Sequence, residues 1–125
     1  NMAGVIKFNQ VNLNVGGAYD PSTGMFTTPV TGHYQVSLSA VATVSDYVNY
    51  DNICIVALYV NGVLFHGSSL RTDVPVESGT YEQAFGGNTI LHLQPNDTIS
   101  WKLEKGSVYS GTEESYNHMS ICFLG

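Results

Sequence analysis

From Tyr34 onward the apolar residues fall on alternate positions: Tyr34, Val36, Leu38, Ala40, Ala42 and Val44. Gln35, Ser37, Ser39, Val41 and Thr43 stand between them. A period of two places one set on a buried sheet face and the other set on the opposite face, so this stretch predicts a long half-buried strand. The segment before it is punctuated by turns. Asp20-Pro21-Ser22-Thr23-Gly24 combines a proline that presets φ, side chains that bond their own backbone, and a glycine that accepts positive φ. Pro29 cannot donate to a ladder and belongs at a strand end or edge, and Thr31-Gly32 breaks the chain just before the long strand.

The same reading carried along the chain predicts short strands throughout. Val5 to Leu13 and Met25 to Thr28 are the first two. Ile53 to Val60 is a continuous apolar run of strand length, rich in β-branched residues. Asn61-Gly62 after it is a strong hairpin signal, with Val63 to His66 as the return. Asn88 to Leu93 forms another strand, residues 94–97 a turn, and Ile99, Trp101 and Leu103 alternate with Ser100, Lys102 and Glu104. His118 to Leu124 closes the chain. Residues 45–52, 68–83 and 105–117 read as polar loops. No segment has a convincing helical period, and many short strands between turn signals predict an all-β sandwich or barrel.

The 125 residues suit one domain spanning 1–125, long enough to bury a core without staples. No run approaches the roughly 20 apolar residues of a membrane helix. The first residue is Asn and no signal peptide is visible, as expected of a mature or excised domain. Charged residues make up only 11% of the chain and the net charge is -6, so Asn, Ser, Thr, Gly and Tyr must build much of the surface. Lys7, Arg71, Lys102 and Lys105 are the only fixed cations and form no run in the sequence, which argues against nucleic acid and anionic membranes as partners. Cys54 and Cys122 are too few for a disulfide scaffold. Both fall within apolar strands and read as buried thiols, with a bridge between them left to geometry.

The stretch Phe8, Asn9, Val11, Asn14, Gly16, Tyr19, Asp20, Pro21, Thr23, Gly24, Phe26, Thr27, Pro29, Val30, Gly32 and Tyr34 resembles the opening of the complement C1q globular-head domain, in the C1q/TNF superfamily. The resemblance continues through Ala57-Leu58-Tyr59 with Asn61-Gly62, then Gln83-Ala84 with Gly86-Gly87, then Leu91, Leu93, Pro95 and Asp97, and so covers essentially the whole chain. Asn96 stands where the family usually has glycine, and Met119 and Ile121 stand where it usually has Phe and Gly. The resemblance implies a jelly-roll β-sandwich of about ten antiparallel strands, assembled as a homotrimer around the sheet that contains the closing strand. Some members bridge a cysteine placed like Cys54 to one in the following loop, and that partner is missing here. Some members also hold calcium near the trimer axis, and the matching acids here are Glu82 and Asp73, of a kind suited to that ion. Solvated acids are the alternative.

If each connection after Gly32 reverses direction, the loops 45–52, 68–83 and 105–117 gather at one end of the sandwich. That apex holds Asp46, Asp51, Asp73, Glu77, Glu82, Glu113 and Glu114, seven of the ten acids, and Tyr47, Tyr50, Tyr81, Tyr109 and Tyr116, five of the eight tyrosines. Rigid rings beside adaptable hydrogen-bonding groups make a paratope-like composition. Asp46, Tyr47, Tyr50, Asp51 and Tyr109 are the ligand-binding candidates, the rings to stack and the carboxylates to accept hydroxyl hydrogen bonds.

Catalytic patterns are missing. There is no G-x-S-x-G, H-E-x-x-H or phosphate loop, and DPSTG is not the D-[ST]-G of an aspartic protease. His33, His66, His92 and His118 show no ligand spacing and read as polar or half-buried strand-end residues. Asn96-Asp97-Thr98 is either a glycosylation sequon or simply a turn. The expected protein is therefore a secreted, extracellular, non-catalytic trimeric recognition domain. Its apex would bind a glycan, a microbial surface or a protein, as in lectin-like innate immune recognition. A TNF-like receptor-clustering ligand and a trimerisation module of a collagenous or matrix protein are the alternatives.

Overall fold

A computed structural model describes residues 4–8, 18–43, 53–74, 82–108 and 117–125. Among them lie eleven strands in two antiparallel sheets. The strands are β1 (Gly4–Val5), β2 (Tyr19–Asp20), β3 (Met25–Thr27), β4 (Gly32–Thr43), β5 (Ile53–Val60), β6 (Val63–Leu64), β7 (Leu70–Asp73), β8 (Glu82–Leu93), β9 (Thr98–Lys105), β10 (Ser107–Val108) and β11 (His118–Phe123). The larger sheet runs β2-β3-β9-β5-β6, with β1 also on β9 and β7 also on β5. In the smaller sheet β4 is central. β8 pairs with it along its whole length, and β11 and β10 pair with its two halves on the other edge.

The alternation expected for β4 is present: Tyr34, Val36, Leu38, Ala40 and Ala42 are buried. They meet Val56, Leu58, Ile99, Trp101 and Leu103 from the facing sheet in one core. Leu58 pairs with Trp101 across β5 and β9, and both are essentially inaccessible. On the outer side of the β5 run Ala57 is buried within the chain, while Ile53, Ile55 and Tyr59 are half-buried. Lys102 lies opposite Ala57, and its ammonium sits 4.5 Å from the centre of the Tyr59 ring, an exposed cation–π contact. Tyr59 in turn donates to the Glu104 carboxylate, which raises the tyrosine's pKa.

The turns form where their residues allow. Ser22 donates from both its backbone N–H and its hydroxyl to Asp20 Oδ1, at 2.9 and 2.7 Å, closing the DPSTG turn. Asn61 and Gly62 both have positive φ, 52° and 79°, as a tight hairpin of this twist requires. Asn96 has φ 73°, which accounts for an asparagine serving where glycine is usual: asparagine tolerates the left-handed region better than most residues.

Several elements differ from the sequence reading. The expected first strand is recorded only at Gly4–Val5, and residues 9–13 lie outside the described ones. The loop expected over 68–83 contains β7, and β8 begins at Glu82 rather than Asn88. The loop expected over 105–117 contains β10. Cys122 is exposed, not buried, because Met119 and Ile121 take the inward positions of β11 and leave the alternate ones outside. Cys54 is buried in the core and its thiol is pushed up to about 11 by desolvation. The two cysteines are free and do not bridge.

At the end away from the long loops, the Asn61 amide donates to Asp97 Oδ1 at 3.0 Å and the Gln94 N–H donates to Oδ2 at 2.9 Å. Both bonds hold the Asp97 carboxyl below the usual carboxylate range, the amide most strongly. Because the folded value is the lower one, this contribution to stability is complete above the unfolded value and is lost as pH falls through the folded value. Asn61→Gly keeps the positive φ and removes the amide. It should move the Asp97 titration, followed by carboxyl-carbon NMR, upward toward the ordinary range; an unmoved midpoint would contradict the assignment. In the core, Leu58→Ala should cost about 2–5 kcal/mol. The fluorescence of the single tryptophan, Trp101, during urea unfolding reads this directly, and an unchanged midpoint would mean that the Leu58–Trp101 contact carries no weight.

Candidate functional site: the apex and an uncharged sheet face

The pairing registers bring the expected loop ends together. At the end of β4, Thr43 pairs with both Glu82 and Ser107. At the start of β5, Ile53 pairs with Asp73, and Ile55 pairs with Lys105. Only Gly106 separates β9 from β10, so the ends of the two sheets coincide there. The Asn117 amide oxygen accepts from the Val41 N–H at 3.0 Å and ties the approach to β11 to the same region. The segments 44–52, 75–81 and 109–116 all leave from this end.

Of the ligand-binding candidates, Asp46, Tyr47, Tyr50, Asp51 and Tyr109 all lie outside the described residues. The two calcium candidates are described. Asp73 ends β7, is exposed, and receives the Arg71 guanidinium at 3.3 Å. Glu82 begins β8, exposed, in the other sheet. Both therefore stand at the apical end, but on different sheets. Arg71 occupies only Oδ1 of Asp73, and among the described residues no three His, Cys, Asp or Glu side chains converge as a metal site.

The structure shows a second feature that the sequence reading missed. The residues of β4 that point away from the core are His33, Gln35, Ser37, Ser39, Val41 and Thr43. Their partners on β8 are His92, Ile90, Asn88, Gly86, Ala84 and Glu82, and those on β11 include Cys122, Ser120 and His118. Among all residues of the four strands, Glu82 is the only Asp, Glu, Lys or Arg. Ile90 is 56% exposed on this face. Gln35 donates diagonally to Asn88, the partner of Ser37, at 3.5 Å. Charge is concentrated elsewhere. Arg71, Lys102 and Lys105 belong to the seven-stranded sheet and Lys7 follows its first strand, so all four fixed cations lie on that side.

The paired glycines at the centre of β8 bear on this face. A Cβ on Gly86 would come within 2.5 Å of the Leu38 carbonyl oxygen, and one on Gly87 within 2.7 Å of Leu70 Cδ2. The first lets β8 lie close on β4, and the second lets β7 of the facing sheet pack over β8. The signal for the face was present in the sequence as a lack of charge across 32–43, 83–93 and 118–123, but it acquires meaning only when the register stacks those segments.

The similarities of the chain to known proteins agree with this architecture. The globular domain of zebrafish complement 1qA superposes with a TM-score of 0.73 at 15% identity, covering 100% of this chain and 90% of that one. The Eiger TNF of S. frugiperda superposes with a TM-score of 0.61 at 15% identity, over 86% of this chain and 68% of that one. Rabbit GITRL does so with a TM-score of 0.53 at 17% identity, over 82% and 73%. At these identities the superpositions establish the jelly-roll fold. The family model for the C1q domain matches residues 1–124. With the two-sheet order, the hairpin at Asn61-Gly62 and the paired glycines of β8, that match makes the chain a member of the C1q domain family.

Proposed function

We propose that this protein is a secreted, non-catalytic recognition domain that works as a homotrimer. The three four-stranded sheets pack around the three-fold axis, and the apical loops present the ligand-binding surface. The observation that carries the reading is the outer face of β8-β4-β11, free of charged side chains except Glu82 at its apical end, in a chain whose family match spans residues 1–124. Charged residues are depleted at the centres of protein interfaces because desolvating them is costly. The homologous C1q and TNF domains assemble as trimers, and the family assignment supports an extracellular location. No helix among the described residues is long and apolar enough to cross a membrane.

The ligand reading rests on composition. The loop residues Tyr47, Tyr50 and Tyr109 offer rings to stack on sugar faces or protein side chains, and Asp46 and Asp51 offer hydroxyl acceptors. An extracellular glycan, microbial surface or protein is the partner class, with three apices acting together to raise avidity. Calcium at Glu82 and Asp73 would offset the like charge that a three-fold assembly gathers. The family match, to C1q rather than to TNF, favours this reading over a receptor-clustering ligand. A pure trimerisation module would have an inert apex.

The tests separate these parts. Tyr47→Ala combined with Tyr50→Ala should abolish binding on a glycan or microbial-surface array while leaving the thermal midpoint nearly unchanged. Unfolding of the variant would make the tyrosines structural, and normal binding would move the recognition surface elsewhere. Calcium should raise the thermal midpoint by stabilising the state that binds it, and a chelator should reverse this. No response to either would leave the acids as solvated surface.

A further inference from the structure

We propose that His33 and His92 form a two-imidazole site for a divalent transition-metal ion of the zinc class, at the end of the molecule opposite the acidic loops. The two residues are direct partners across β4 and β8. His33 donates its N–H to the Gly125 carbonyl at 3.1 Å, and its own carbonyl accepts from the Leu124 N–H at 2.8 Å. A strand residue directs both backbone groups to the same side, so His33 turns neither of them toward β8. The His33–His92 pair is therefore a non-hydrogen-bonded one, the position at which cross-strand side chains come closest.

The ring separation suits a chelate. Their centroids are 5.0 Å apart and their planes lie at 69°. A metal about 2.0–2.1 Å from an imidazole nitrogen lies about 3.2 Å from that ring's centre, so two rings at a tetrahedral angle have centres about 5 Å apart. His33 Nδ1 is 3.1 Å from the Gly125 carbonyl oxygen. That oxygen only accepts, so Nδ1 carries the proton and Nε2 of the neutral ring keeps its lone pair for a metal. A ring nitrogen held by a backbone carbonyl is the usual outer support of a metal-ligating histidine. Both histidines are exposed, and all the fixed cations that would repel an ion lie with the other sheet.

The ligand chemistry selects the ion. Two neutral nitrogens suit zinc, copper or nickel and not the oxygen-seeking calcium expected at the apex. One chain supplies two ligands and, among the described residues, no third, so the remaining coordination positions are left to water or an outside group. The site is complete as a bidentate chelate on a single chain, at the end of the same outer face of β4 and β8 that the proposed trimer turns toward its axis.

The test is calorimetric titration of the metal-stripped full chain with zinc and with nickel ions. One ion should bind per chain. His33→Ala and His92→Ala should each weaken binding by at least about tenfold, while His66→Ala, outside the pair, should leave it unchanged. Trp101 fluorescence would verify that the variants are folded. Absence of binding, or binding that survives both substitutions, would overturn the site and leave the rings as a simple edge-to-face pair. Sedimentation on the same samples separates this from the assembly: zinc uptake by single chains supports the site and counts against the trimer, while a trimer that takes up no zinc does the reverse.

Discussion

The antiparallel ladder between β4 and β8 runs from Gly32–Leu93 to Thr43–Glu82 without a break in register. It is the constraint on which the other features depend. Side chains alternate between faces, so a slip of one residue would put Tyr34, Val36 and Leu38 in water and Gln35, Ser37 and Ser39 in the core. The cost of that exchange fixes the register, and the register fixes everything on the opposite face. It pairs His33 with His92, aligns Ser37 with Asn88, and sets Thr43 and Glu82 at the same end as the long loops. β11 then adds to the free edge with Met119 and Ile121 inward and Cys122 outward.

Much of this was legible in the chain, and the failures have physical causes. The period-two run of β4, the Asn61-Gly62 turn and the half-buried strand around Trp101 all appeared as expected, because local chemistry and burial agree there. The first half of β8 did not, because Gln83, Ala84, Gly86 and Gly87 carry almost no hydrophobic signal. Their strand character comes from the ladder and from the close approach of Leu38 and Leu70. β7 and β10 were hidden in polar loops for the same reason. Cys122 was read from the average character of its strand, whereas the alternation decides its face. The His33–His92 pair could not be found by ligand spacing, since the two residues are far apart in sequence and meet only through sheet pairing. The gathering of the loop ends followed from counting reversals, and the registers agree with it. The five loop candidates lie outside the described residues.

The distribution of charge gives the molecule its functional logic. The basic residues sit with the seven-stranded sheet, most of the acids belong to the apical loops, and the four-stranded sheet is left with Glu82 alone. A face with polar side chains and one exposed isoleucine has no charge to desolvate at its centre, and its polar groups can be buried where they find hydrogen-bond partners. An acidic apex placed beyond that face would become a shared surface when the faces meet, which is where multivalent recognition gains its strength. The fold, the sparsely charged sheet face and the gathering of the loop ends are thus three consequences of one register.

The assembly face is the central claim, and the mass of the protein in solution tests it most directly. Sedimentation equilibrium at micromolar concentration should give about three times the 13.5 kDa chain mass for the native protein. Ser37→Arg, which places a charge in the middle of the uncharged face, should give the mass of one folded chain. A native protein that sediments as a single chain, or a Ser37→Arg variant that remains three chains, would contradict the account.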